Sequence, residues 1–187
     1  MDRIDWRHVE ACLDGEGYAV IPGLLAGEPV DALTSWAAAF YRHLAPLANR
    51  WHAALDSDVR YPATPHRDRK PIFRIVRLRE GEDLPLHQSH GGPHAFPFQV
   101  VALLSEPGRD FTGGEFVMTE RRPRMQSRPM VVPLHAADAA VICATSRPLK
   151  GSHAEYRADL KHAVSRVHSG ERVGLELLWP SPVNSLR

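Results

Sequence analysis

The sequence predicts an α+β protein that is mainly β: a helical layer over residues 1–56 packed on a β core over residues 71–180, with all 187 residues in one domain. Two observations carry this. From Ile72 onward, short β-branched or aromatic runs alternate with turn-forming clusters, and no helical stretch intervenes; that pattern suits an antiparallel sandwich or barrel. Before them, residues 29–55 are rich in alanine and leucine at helical spacing.

In order along the chain, "IDWRHVEACLD" (residues 4–14) has spaced apolar positions and meets Gly15 and Gly17, which predicts a short helix with a glycine stop. "YAVIPGLL" is a first strand, limited at one end by Pro22. "PVDALTSWAAAFYRHL" and "PLANRWHAAL" read as two helices divided at Pro46, with Trp36, Phe40 and Trp51 anchoring that layer on what lies beneath. "SDVRYPATPHRDRKP" (57–71) is a charged, proline-rich loop. The strands expected next are "IFRIVRL", "FPFQVVALL", "GEFVMTE", "MVVPL", "AAVICATS", "LKHAVSRV" and "RVGLELLW", with "EPGRDFTGG" and "SRPLKGS" as turns.

Composition narrows the function. A net charge of +1 argues against a global electrostatic attraction to nucleic acid or anionic membrane. No run approaches the roughly 18 apolar residues of a membrane span, and the first residues lack the apolar core of a signal peptide. Cys12 and Cys143 are too few for a disulfide framework, so the cytoplasm is the expected location. Cys143 reads as a small buried hydrophobe.

The chemistry concentrates in "LHQSHGGPH" (86–94). On a strand, His87 and Ser89 would project from one face. A second histidine, His162 in "LKHAVSRV", follows 75 residues later on another strand, and Arg172 heads "RVGLELLW" ten residues after that. In that last strand Val173, Leu175, Leu177 and Trp179 form an apolar face. Arg172, Gly174 and Glu176 share the other, cavity-facing one, with glycine making room for a ligand. Non-haem ferrous centres use two histidines and one carboxylate on one face of the ion; here serine stands where the carboxylate is expected. His90 would point to the opposite face, His94 could return only if "HGGP" folds back into a three-histidine site, and Glu115 reads as structural. Arg121, Arg122, Arg124 and Arg128, with Arg67, Arg69 and Lys70, could form a basic rim for phosphates, but a solvated loop balanced by Glu120 and Asp110 is the favoured reading.

From about Tyr41 to Trp179 the chain resembles a family of small bacterial 2-oxoglutarate/Fe(II)-dependent oxygenases, of the branch described as acting on nucleic acid. The matching text is "HLAPLANRW", "LHQS", "FPFQVVALLSEPGRDFTGGEFVMTE", "RPRMQSRPMVVPL", "RPLKGS" and "LKHAVSRVHSGER". The resemblance implies a double-stranded β-helix, the jelly-roll or cupin-like fold. It implies His87 and His162 as iron ligands, with Arg172 clasping the far carboxylate of 2-oxoglutarate. The family's carboxylate ligand falls on Ser89, Leu78 and Leu84 replace its tyrosine and asparagine, and "WPSP" replaces its histidine-aspartate ending. Three outcomes are open. Iron is held by two histidines and 2-oxoglutarate, with hydroxylation retained; chloride fills the vacated position, as in related halogenases; or the jelly roll is a catalytically inactive binding protein. The expected partner is a small-molecule substrate or nucleic acid, not a membrane, and the oligomeric state is left open.

Overall fold

A computed structural model of the chain describes residues 4–29, 32–65, 70–88, 95–151 and 154–180. Helix α1 (Trp6–Glu16) starts where the Asp5 side chain accepts a hydrogen bond from the His8 amide at 3.1 Å, satisfying one orphan donor of the first turn. It ends at Gly17, whose φ of +81° is the left-handed stop, with its N–H bonded to the Leu13 carbonyl. A β-carbon at Gly17 would lie 2.6 Å from Cδ2 of Leu160, so the position also demands glycine for close packing of α1 against the sheets. β1 (Tyr18–Ile21) follows directly.

The two helices expected around Pro46 are a single one, α2 (Ala32–Ala54), with Pro46 inside it. Pro46 lacks the N–H that would reach the Arg42 carbonyl. Both residues are exposed, so that carbonyl faces water. On the other side Phe40, Leu44, Ala45, Leu47, Ala48 and Trp51 are buried on the two turns flanking the proline. Packing therefore holds the helix through a residue that would divide it in isolation.

The remaining strands are β2 (Ile72–Arg79), β3 (Leu84–His87), β4 (Phe98–Leu103), β5 (Phe111–Gly113), β6 (Phe116–Arg121), β7 (Arg128–Val132), β8 (Ala139–Cys143), β9 (Ser146–Lys150), β10 (Glu155–Val164) and β11 (Val167–Leu178). They form two antiparallel sheets. One has the order β1-β8-β4-β11-β2, with β5 on β11; the other has β3-β10-β6-β7, with β9 on β10. This is a jelly roll, as the sequence led us to expect.

Two segments expected as turns contain strands. "SRPLK" pairs as β9 with β10, Ser146 opposite Asp159 and Pro148 opposite Arg157. Proline fits because β9 sits beside the main order of its sheet. "FTG" pairs as β5 with the start of β11. Arg147 explains β9: it is fully buried, its guanidinium bonds Glu120 at 2.6 Å, and it reaches the carbonyls of Asp14 and Gly15 at the end of α1. Removing one partner would leave a buried charge, typically worth about 3–5 kcal/mol.

α2 lies against the larger sheet. Tyr41 stacks on Phe96, 4.9 Å between centroids, and Trp51 meets Phe98 at 4.8 Å. Leu175 and Leu177 of β11 are buried, as their apolar alternation predicted. Trp36 is partly buried against the same core.

Candidate metal centre

Antiparallel pairing of β3 with β10 sets His87 directly opposite His162. Their ring centroids are 4.3 Å apart. The sequence placed the two histidines on separate strands converging on one point; they are cross-strand neighbours in one sheet.

His162 alternates with Ala158, Leu160 and Val164 on the buried face of β10 and is itself fully buried. Neither of its ring nitrogens has a hydrogen-bond partner among the described residues. An imidazole carries one donor and one acceptor when neutral, and leaving buried polar groups unpaired costs about 1–3 kcal/mol each. Burial, with a smaller contribution from His87, pushes its pKa down to about 3. The ring is therefore neutral at pH 7, the form that ligates a metal. Phe116 stacks nearly parallel to it, 5.8 Å between centroids and 11° between planes.

His87 is half-buried, and its Nδ1 donates to the Pro85 carbonyl at 2.8 Å. The carbonyl can only accept, so Nδ1 is the donor and Nε2 is the nitrogen left for a metal. A ligating histidine is commonly oriented in this way by its other nitrogen. An unpaired buried imidazole beside a second histidine oriented through its Nδ1 fits a divalent metal. Among the described residues, no three His, Cys, Asp or Glu side chains converge as a ligand set. Ser89, His90 and His94 lie outside the described residues, as do Arg67 and Arg69.

Arg172 is 3% exposed. Its Nε donates to the Gly114 carbonyl at 2.8 Å, and no carboxylate among the described residues forms an ion pair with it. Burial lowers its pKa to about 10, offset in part by Glu176, so it stays cationic at pH 7. Gly174 was expected to make room for a ligand; instead it makes room for Arg172. A β-carbon there would stand 2.8 Å from Nη1, and one on Gly114 would stand 3.0 Å from Cδ of the same side chain. Two glycines thus form the slot in which the guanidinium lies. Leu78 is its register neighbour on β2. Arg172, Phe111, Phe116 and Leu134 line a cavity of about 140 Å³. Phe116 therefore joins the guanidinium's cavity to the His162 ring. Sequence reading missed both Phe116 and Gly114; the alternation along β6 would have placed Phe116 on the inner face with Met118.

The other candidates have local roles. Glu115 is bonded to Ser165, whose hydroxyl also accepts from the Glu115 amide at 2.9 Å; that bond chiefly lowers its pKa. Arg122 pairs with Glu120 at 2.7 Å and Arg128 with Glu16 at 2.5 Å, while Arg121 and Arg124 are exposed. Two of the four arginines in that loop are thus balanced within the chain, in the manner of a solvated loop. Cys143 is buried. No helix among the described residues is long and apolar enough to cross a membrane.

Known proteins share the family and the fold of this chain. A sequence model of an oxygenase family, described as catalysing oxidative methylation of damaged DNA, matches residues 26–181. An uncharacterized protein of Mycobacterium tuberculosis is 33% identical over 150 residues, covering 75% of this chain. The chain spans 64% of that relative's length. Among solved structures, a Pseudomonas putida prolyl-4-hydroxylase superposes with a TM-score of 0.51 at 13% identity, covering 95% of this chain and 96% of the hydroxylase. A Burkholderia pseudomallei oxidoreductase of the 2OG-Fe(II) oxygenase family gives 0.52 at 18% identity, covering 95% and 90%. A prolyl 4-hydroxylase from Phytophthora capsici gives 0.54 at 18%, covering 97% and 64%. At such identities these structures speak to the fold alone, and the fold is shared. The sequence match over residues 26–181 goes further: the chain belongs to the oxygenase family described as acting on damaged DNA.

Proposed function

We propose that this chain is an Fe(II)- and 2-oxoglutarate-dependent oxygenase that oxidises carbon–hydrogen bonds of its substrate. The observation that carries the reading is the buried His162 ring, unpaired at both nitrogens and 4.3 Å from His87. His87 and His162 would hold the iron, and Arg172 would bind the far carboxylate of 2-oxoglutarate. Bound iron and 2-oxoglutarate together supply oxygen activation, coupled to oxidative decarboxylation of the keto acid to succinate.

The chain's own contribution is binding and exclusion. Arg172 has no carboxylate partner among the described residues, so an entering carboxylate would relieve a buried, uncompensated charge. Its planar fork also fixes the orientation of such a group. Phe116 and Phe111 give the cosubstrate's carbon chain an apolar wall. At the position where the family resemblance puts the carboxylate ligand, Ser89 would offer only a neutral hydroxyl, and water or chloride would complete the ligand set.

The family's description makes a damaged nucleic-acid base the first substrate class to test, with a small molecule as the other. Anaerobic titration with Fe(II) and 2-oxoglutarate, then admission of oxygen, tests the reading. Tight binding and succinate release that are both lost in His162→Ala support it. Absence of iron binding leaves a jelly-roll binding protein, and chlorinated product in the presence of chloride identifies the halogenase variant.

A further inference from the structure

A carboxylate on β11, Glu176, shares a cavity with His87. Glu176 shares its strand face with Arg172 and Gly174. With His87, Gln99, Arg74 and Trp179 it lines a cavity of about 110 Å³. Three carboxylates of limited exposure are committed elsewhere. Glu120 binds Arg122 and Arg147, Asp138 accepts from the Gly23 and His135 amides, and Asp159 accepts from Ser146. Glu176 is half-buried and, among the described residues, makes no hydrogen bond or ion pair. Burial raises its pKa above the usual carboxylate value, and Arg74, His87 and Arg172 act in the opposite direction.

A divalent cation held by two imidazoles brings two positive charges beside a cavity that Arg74 already lines. Without an anion nearby, such a site is penalised by both desolvation and repulsion. Ser89 provides no charge. We propose that Glu176 provides it, as an outer-sphere carboxylate that accepts hydrogen bonds from water on a divalent cation bound by His87 and His162. This rests on those two histidines being the metal ligands. The bridge is a water because no third side chain reaches ligating distance among the described residues, and the cavity has room for several. Glu176 is thus a positioning residue for the metal site, reaching it from the sheet opposite the histidines.

The test is calorimetric titration of the full chain with Co(II), which needs neither oxygen nor substrate. Glu176→Gln keeps shape and removes charge, and is expected to weaken Co(II) binding about 10- to 100-fold, the usual range for outer-shell partners. Glu176→Asp keeps the charge and should recover affinity to within a few-fold of wild type. In a Ser89→Asp background the Glu176→Gln loss should shrink, because the new carboxylate supplies the charge directly. Wild-type affinity in a folded Glu176→Gln protein overturns the proposal, as does a loss that Glu176→Asp shares in full. The ligand reading is judged separately. If His162→Ala binds Co(II) as wild type does, that reading and this proposal fall together; if His162→Ala loses binding while Glu176→Gln does not, this proposal alone falls.

Discussion

A β-carbon on Gly174 would stand 2.8 Å from Nη1 of Arg172 and 3.2 Å from the Ala102 carbonyl. The first contact is with the far end of a flexible side chain, so Gly174→Ala should displace the guanidinium and leave the sheet in place. We expect the variant to fold, to lose about 1–3 kcal/mol of stability by overpacking, and to bind 2-oxoglutarate about tenfold more weakly. Urea melts and cosubstrate titration check the two effects; unchanged affinity would mean that the guanidinium does not touch the ligand. A second residue-scale prediction concerns the thiols. Burial pushes the Cys143 pKa up to about 12, so its reactive thiolate is scarce at pH 8 and the sulfur is out of reach of solvent. Cys12, part-exposed and 3.5 Å from His8 Nε2, is the thiol that iodoacetamide should reach, giving one adduct by mass in the native protein and two in denaturant. By linkage, the raised folded pKa of Cys143 contributes stability that is complete below the ordinary thiol value of 9.0 and is lost as pH rises toward about 12.

Among the elements, α2 is where local sequence preference and tertiary packing disagree. Proline in a helix interior costs about 3 kcal/mol relative to alanine, and Pro46 is tolerated because one side of α2 is buried while the proline faces solvent. Pro46→Ala restores an N–H to bond the Arg42 carbonyl. It should stabilise the protein by about 1–2 kcal/mol after the unfolded chain regains freedom, raising Tm by roughly 2–4 °C per kcal/mol for a chain of this size. A lower Tm would show that the proline ring makes a contact the helix depends on. The same contrast explains what the sequence made legible. β2 is legible from its β-branched residues although most of them are exposed; β4 and β8 announce themselves because runs such as "FQVVAL" and "AAVIC" have no alternative to burial. β9 does not: "SRPLK" reads as a turn, and its strand character comes from Arg147, whose buried partners Glu120, Asp14 and Gly15 are distant in sequence. β5 is three residues long, too short for any periodicity. At the site, the alternation of β11 correctly grouped Arg172, Gly174 and Glu176. That Gly174 shelters the arginine rather than a ligand depends on a side-chain path that spacing does not encode.

At the scale of the whole molecule, the two sheets place a histidine pair and a buried cation within one jelly roll, without a carboxylate bonded to either among the described residues. Each unpaired group has a cost to folding: among the described residues, His162 has two orphaned ring nitrogens, and Arg172 is a buried charge with no ion pair. A ligand that satisfies them binds only the folded chain and must raise its stability by mass action. At a free concentration 100 times Kd, that linkage is worth about 2.7 kcal/mol, or a Tm increase of roughly 5–10 °C for a protein of this length. Co(II) alone should therefore raise Tm, and 2-oxoglutarate added to the Co(II) protein should raise it again. The second increment should be absent in Arg172→Met and the first in His162→Ala. The variants also predict their own baselines. His162→Ala removes orphaned polar atoms along with packing, so its metal-free Tm should fall by less than truncation of a buried apolar ring of similar size, which typically costs about 3–5 kcal/mol. A Tm that ignores both ligands in the wild-type chain would leave the unpaired imidazole and guanidinium without the compensation their burial requires, and the oxygenase reading would have to be abandoned.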